Sequence, residues 1–570
     1  MGGFGRRWAW RWVPALALLL PPTSAGGQAP RDSARIDRAM HDAQRDFEWH
    51  RRMNLSWTSG GSGGACDARI GRFCYWHGTT PDSAPPEPAT IVRARDELIA
   101  RLDSAGGRLP GDGWIAGQRV RYLLEAGRTD DALLAARACR AALWWCDALQ
   151  GLVLHVTLRF AAAESTYDRA LDAMPDRTRC RWTDLSTLLD GAAADRYRQL
   201  GCAERGPFDR RLWWLAQPFY SLGANDRRTE HFARRTMVEI ARQSVWPVAG
   251  SWGDDLRDLI VRYGWPRWYE RVRPDISADP NFSVMGHDPQ PSFAFFPDGR
   301  LLDSAYDARP SDWNLRANRA PSRYAPAYLE AVEPVSVLLS RFRRGDSMTV
   351  VAAYEAERDS ILGGHRVRAA LVVMPDERQA FADTAANAPA AGALMVTAPA
   401  LPALASVELL DRTARAGARE RQAIAGLPPA PGMALSDVLL FRPGPELPAT
   451  LGQAAGSAIA SVGRAAGPVG LYWELYAAAG TRTTVDVSLT VERTESGWWS
   501  RARRFLRLGA RGAPIALRWR DAVRFVNGVA PRAVSVDLSR LGSGRYTLRL
   551  EVSAPGVPTA VDERVLDLAR

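Results

Sequence analysis

Two acidic pairs and one Glu-His couple are the residues of this chain best suited to moving a proton. Asp130-Asp131 and Asp254-Asp255 set carboxylates side by side, and Glu230 adjoins His231. General acid–base work needs such groups to converge on one substrate atom. Adjacent side chains on a helix point about 100° apart, so no couple converges by itself. Carboxylates far apart in sequence could still be brought together for glycoside hydrolysis. Other reaction signatures are missing: the sequence has no H-E-x-x-H and no dinucleotide fingerprint placed after a strand. Lysine is absent, all 74 basic residues being arginine, which removes Schiff-base chemistry and the phosphate-cradling lysine loop. Residues 60–64 spell a formal G-x-S-x-G. A nucleophile elbow needs a strand before it and a helix after it. Here a charged helix precedes and a Cys-rich loop follows, so the stretch reads as a flexible loop. No catalytic residue, metal ligand or cofactor is assigned.

The six cysteines, Cys66, Cys74, Cys139, Cys146, Cys180 and Cys202, all fall in the first 202 of 570 residues. An even count of this kind reads as up to three disulfides in an oxidising compartment. Sequential pairing is the simplest connectivity. Two turns of helix separate Cys139 from Cys146 by about 10 Å of rise, too far to bridge, so that pair requires a break in the helix. Arg6, Arg7 and Arg11 followed by the apolar residues 13–20 and the small-residue stretch 21–25 have the form of a secretory signal. No later apolar run has membrane-spanning length. The net charge of +11 comes from arginines spread along the whole chain, whereas a nucleic-acid binder concentrates them on one element. The expectation is an exported periplasmic or secreted protein with protein partners and no nucleic acid.

These residues must be positioned by three or four domains, given the chain length. A signal peptide (1–25) is followed by a helix with a Cys/Gly-rich loop (30–87). Residues 88–205 have helical period. Within them Gly151, Phe160, Ala163, Tyr167, Ala170 and Pro175 fall near the spacing of a tetratricopeptide repeat, with Gly127, Ala132 and Ala136 as a degenerate earlier copy. Small residues let the paired helices approach, aromatics fill the gap, and the proline ends the second helix. Residues 206–272 carry RLWWLAQPFY and SWGDDLRDLIVRYGWP. Residues 273–332 are rich in Pro, Asp and Ser and read as an ordered linker pinned by its aromatics. After residue 333 the period becomes two. One β-sandwich module (333–445), a linker (446–466) and a C-terminal β-sandwich (467–570) follow. The fold class is multi-domain α+β, a helical-hairpin half before two immunoglobulin-like modules. Arg344-Gly345-Asp346 reads as a hairpin turn, with glycine supplying positive φ.

In SWGDDLRDLIVRYGWP, Trp252, Asp255, Tyr263, Gly264 and Pro266 resemble the signature of the GWxTD domain, found in uncharacterised exported bacterial proteins. Ser251 and Asp254 depart from it. Trp252, Leu256, Leu259, Ile260 and Tyr263 share one helical face, Ser251 can cap its start, and Gly264 with Pro266 can end it. The motif therefore reads first as structure. Trp213 and Trp214 are adjacent, and one stripe cannot bury both, so they read first as packing between domains, the alternative being that one is partly exposed as a candidate contact site. The functional expectation is a non-catalytic protein-binding or scaffold protein of the bacterial cell envelope, the alternative being an envelope hydrolase acting on peptide or glycan.

Overall fold

The structure is a computed structural model and describes residues 29–57, 67–75, 86–248, 252–272, 283–287, 291–317, 320–357, 359–427, 432–462, 468–494, 515–539 and 541–568. The expected signal peptide, the glycine-rich loop, Cys66, Ser251 and the Trp498-Trp499 pair lie outside the described residues. Helices build the first half: α1 (Ala29–Asn54), α2 (Ala89–Arg108), α3 (Gly113–Glu125), α4 (Thr129–Ala138), α5 (Leu143–Val156), α6 (Phe160–Ala173), α7 (Asp176–Trp182), α8 (Gly191–Gln199), α9 (Gly206–Ala216), α10 (Asp226–Arg242) and α11 (Asp254–Tyr263). No described helix is long and apolar enough to cross a membrane.

The α5/α6 hairpin shows why its small residues are needed. A Cβ on Gly151 would stand 2.7 Å from the Tyr167 ring, so only glycine lets the ring lie across α5. Ala163 and Ala170 are fully buried beside it, and Pro175 follows the end of α6 and begins α7. The chain breaks between α4 and α5 over residues 139–142. That break brings Cys139 and Cys146 to a Cα separation of 5.6 Å and a disulfide. A second disulfide, Cys180–Cys202, joins α7 to the turn before α9. Cys74 is also disulfide-bonded.

Two β-sandwiches follow. In the first, Ala391–Pro399, Ser347–Ala356 and Val335–Arg344 form one antiparallel sheet. The facing sheet runs Ala331–Glu333, Ala416–Ile424, Ala403–Asp411, Arg366–Met374 and Phe381–Pro389. Inward residues such as Val350, Leu371, Val396 and Leu409 fill the space between them. In the second, Arg482–Arg493 and Gly544–Ala554 are flanked by Ile515–Arg524 and Val557–Leu568. Val469–Tyr476 centres the other sheet and pairs with Val529–Val536.

Three expectations are corrected here. Ala434–Leu435 and Leu439–Phe441 pair with Val469–Tyr476, so the second sandwich begins before residue 445, and the described residues 446–462 are an excursion within it. The close approach of Phe441 requires Gly470, where a Cβ would meet its ring at 2.3 Å. The 273–332 segment is more than a linker. Its described part contributes Phe293, Phe295, Leu301, Trp313 and Tyr324 to cores shared with the helices and the first sandwich. Trp213 and Trp214 are both buried, at 6% and 5% exposure. Helix α9 is covered on two sides: Trp213 enters the helical core with Val238 and Ile260, and Trp214 enters the sheet-side core with Val372 and Met374. Residues about 100° apart each find a core when a helix is sandwiched between two layers.

The turn Gly345-Asp346 joins two strands in two-residue register, with Gly345 at φ +64°. Arg344 beside it is engaged by Glu474 of the second sandwich at 2.6 Å, so this tripeptide is an inter-module tie. Arg341 makes a parallel tie, to Asp437 at 2.8 Å.

Candidate functional site

Helices α6, α9 and α10 meet the loop after Arg366–Met374 around a cleft of about 770 Å³. Proline at the start of α9 fixes its first turn, and the helix then presents Asp209, Arg210 and Arg211 to the cleft while its two tryptophans form the floor. Asn225 begins α10: its side chain accepts from Arg228 N at 3.0 Å and donates to Trp213 O at 2.6 Å. Arg228 pairs with Glu164 at 3.4 Å and with Asp168 at 2.6 Å on α6. Across the cleft, Arg211 pairs with Glu377 at 2.5 Å, tying α9 to the first sandwich. Asp376 accepts from Arg378 N and Gln379 N and shapes that loop. Arg210 on α9 and Arg378 on the sandwich loop are exposed and line the cleft, and neither makes an ion pair among the described residues. Burial pushes the Asp209 carboxyl up to about 7.

His231 is fully buried behind Trp213 and bonds Trp182 O through Nε2 at 3.1 Å. Burial and the nearby Arg235 hold it well below the usual imidazole range, so it is neutral. Its sequence neighbour Glu230 faces elsewhere. Glu230 Oε2 lies 2.6 Å from Nε2 of His155, whose Nδ1 is 2.9 Å from the Thr229 hydroxyl. Arg234 closes the group at 2.6 Å from Glu230. Burial alone would raise Glu230, but Arg234 and His155 pull it below the usual carboxylate range. A carboxylate, imidazole and hydroxyl in line have the order of a nucleophile relay. Thr229 is fully buried and donates to Asp226 O, so the hydroxyl faces no substrate and the group ties α5 to α10. The His155–Glu230 pairing spans 75 positions and has no signal in the sequence.

The five motif residues have structural positions. Asp255 accepts from Arg72 Nε at 2.7 Å, Arg72 Nη2 at 3.0 Å and Arg72 N at 3.2 Å. The Arg72 hydrogen bond holds its carboxyl at about 2. Gly71, at φ +53°, makes this approach possible: a Cβ there would meet Asp255 Cβ at 2.4 Å. Tyr263 stacks on Tyr75 at 3.7 Å between ring centres. Asp255 and Tyr263 thus dock the hairpin of Ala68–Ile70 and Phe73–Tyr75 onto α11. Trp252 is half-buried against the α10/α11 core. Gly264, at φ +88°, ends α11, its N–H bonding Ile260 O. Arg234 donates to Arg262 O at 2.5 Å and to Arg323 O at 2.7 Å, filling the open carbonyls there. Pro266 packs on Gly286. Gly253 precedes the first turn, so the helix begins later than a Ser251 cap requires.

No family model matches the chain, and no curated protein matches it. Solved structures that share part of the chain path include red sea bream transglutaminase (11% identity, 41% of this chain and 31% of that chain, TM-score 0.14). A tetra-tandem repeat in the extending region of a large adhesion protein is 12% identical over 41% of this chain and 49% of that chain (TM-score 0.14). A DUF4785 family protein from Legionella pneumophila is 11% identical over 40% of this chain and 53% of that chain (TM-score 0.14). The chain spans between about a third and about a half of the length of these proteins.

Proposed function

We propose that this protein is an exported, non-catalytic binding protein of the bacterial cell envelope. The cleft between α9 and the first sandwich holds an acidic segment of a partner protein. One observation carries the reading: Arg210 on α9 and Arg378 on the sandwich loop stand exposed in a cleft of about 770 Å³, while the other cleft arginines, Arg211 and Arg228, are paired to carboxylates. Two exposed cations lining one open cleft attract an extended acidic chain. The resemblance to GWxTD-domain proteins and the disulfides fit an extracytoplasmic setting.

The test compares the mature chain with an Arg210→Glu/Arg378→Glu variant as bait in envelope extract. A partner retained by the first should fall by about tenfold on the second. Equal recovery, or no specific partner, overturns the reading. Asp209 favours a second reading, an envelope hydrolase acting on peptide or glycan, because a carboxyl near 7 is suited to general acid work. Hydrolysis of an envelope peptide or glycan that disappears in Asp209→Asn would establish it.

A further inference from the structure

A second cavity, of about 220 Å³, opens between α3, α5 and α10 and shares no lining residue with the α9 cleft. Three tryptophans line it, Trp114, Trp144 and Trp145, with Glu239 and Arg242 of the last turn of α10 beside them. Each ring is held by contacts of its own. Trp145 donates through Nε1 to Gly113 O at 2.7 Å. An indole N–H lies in the ring plane, so this edge is turned to α3 and the ring stands upright on it. Gly113 and Gly117 allow the approach, since a Cβ on either would meet the indole at 3.1 Å. Trp114 donates through Nε1 to Gln243 O at 3.0 Å, and His41 covers one of its faces, stacked at 3.7 Å between ring centres. The other face of this half-buried ring is left to the cavity that it lines. Trp144, also half-buried, meets Trp145 at 62° between planes and Trp182 at 83°.

Indoles inclined in this way form a corner, unlike the flat platform on which a sugar ring stacks. Their π-faces are electron-rich and attract a cation, most of all one with an apolar surface that is weakly held by water. Glu239 is the carboxylate among the lining residues. Its side chain is 16% exposed, and it pairs at 3.2 Å with Arg242, which is 45% exposed. A full negative charge beside a half-enclosed aromatic corner strengthens the attraction for a cation. A primary ammonium or a guanidinium would bring N–H donors that need acceptors, which ring faces supply poorly. A trimethylammonium group has no donor and presents methyls on every side. At the roughly 30 Å³ a water occupies in the liquid, the cavity has room for about seven non-hydrogen atoms, the size of choline.

We propose that this cavity binds the trimethylammonium group of a small solute, with Trp114, Trp144 and Trp145 against its methyls and Glu239 balancing its charge. The site is independent of the α9 cleft. The test is calorimetric titration of the mature protein with choline, with glycine betaine, which adds a carboxylate to the same group, and with dimethylbutanol, the uncharged analogue of choline in which carbon replaces nitrogen. At least one of the two trimethylammonium compounds should bind saturably, and dimethylbutanol should bind about tenfold more weakly or not at all. Tighter choline marks a ligand without an anion, and tighter betaine marks one whose carboxylate is met by Arg242. Trp144→Leu and Glu239→Gln, each with its fold checked by circular dichroism, should weaken that binding by about tenfold. The second variant keeps the size of the side chain and removes only its charge. No saturable binding of either compound by the folded wild type overturns the proposal. So does equal binding of dimethylbutanol, which would mark a plain apolar pocket, or undiminished binding by both variants.

Discussion

Replacing Arg421 with methionine should cost about 3–5 kcal/mol of stability, the usual effect of removing one member of a buried, hydrogen-bonded ion pair. Arg421 lies on Ala416–Ile424 of the first sandwich and is 2% exposed. It reaches the C-terminal end of α9 and donates to Leu215 O at 3.0 Å, Gln217 O at 2.7 Å and Pro218 O at 3.2 Å. These carbonyls have no partner within the helix, so a cation is favoured there by hydrogen bonding and by the helix dipole. Glu408, 3.5 Å away and 1% exposed, balances the charge and accepts from Tyr220 N and Ser221 N, each at 2.9 Å. The guanidinium also lies 3.8 Å from the centre of the Tyr220 ring. Methionine fills similar space but removes the cation that contacts Glu408, leaving Arg419 as its nearby positive charge. Urea unfolding of Arg421→Met, Glu408→Gln and the double variant provides the measurement. The double variant should be less destabilised than the sum of the two singles. A single variant within about 0.5 kcal/mol of wild type would show that this pair does not hold the helical half to the sandwich.

The second large effect concerns pH. Asp226 is fully buried and accepts from Tyr324 at 3.0 Å and from Tyr328 at 2.8 Å, while its other oxygen has no hydrogen-bond partner among the described residues. Burial lifts its carboxyl from 3.8 to about 6 against these hydrogen bonds and the nearby His155. Its contribution to stability is therefore full below the unfolded value. It declines as pH rises from 3.8, because the folded state keeps a proton that the unfolded chain has released, and it is lost above about 6. The span corresponds to about 3 kcal/mol. Asp226→Asn carries no proton to lose and keeps an acceptor for the tyrosines. Relative to wild type, the variant should gain about 2–3 kcal/mol between about pH 4 and about pH 8. Groups that titrate in both proteins cancel in that difference. A constant difference across the range would mean that Asp226 folds as an ordinary carboxylate.

The sequence made some of this architecture legible for simple reasons. Gly151 and Tyr167 encode a close helix pair because a single missing Cβ admits a ring. The break at 139–142 was required once Cys139 and Cys146 were to be joined. Alternation such as Val485, Val487, Leu489 and Val491 reads directly as a strand with one buried face. Other elements were hidden. Ala416–Ile424 carries Glu420 and Gln422 where the alternation of Ala416, Ala418 and Ile424 would demand apolar residues, while Arg419 and Arg421 on its other face serve the carbonyls at the end of α9. Phe381–Pro389 is an edge strand with an exposed face, built mainly from Ala, Asp and Asn, which are depleted in strands.

The cleft itself was only half visible. RLWWLAQPFY marked the right helix, and Trp213 and Trp214 pack between layers rather than form a contact surface, since α9 has a core on each side. The residues now assigned to binding, Arg210 and Arg378, are separated by 168 positions. Neither stands out in a chain whose basic residues are all arginine. Only the packing of α9 on the sheet brings them to one opening.

The most direct test of the central claim is photo-crosslinking in living cells, with a benzophenone side chain placed at the exposed position 379, beside Arg378 at the cleft. A control probe replaces Arg520, whose side chain is 82% exposed on the last sheet. The binding account predicts one discrete crosslinked partner from position 379, lost when Arg210→Glu is added and absent from position 520. No crosslink at 379, or the same products from both positions, would contradict it.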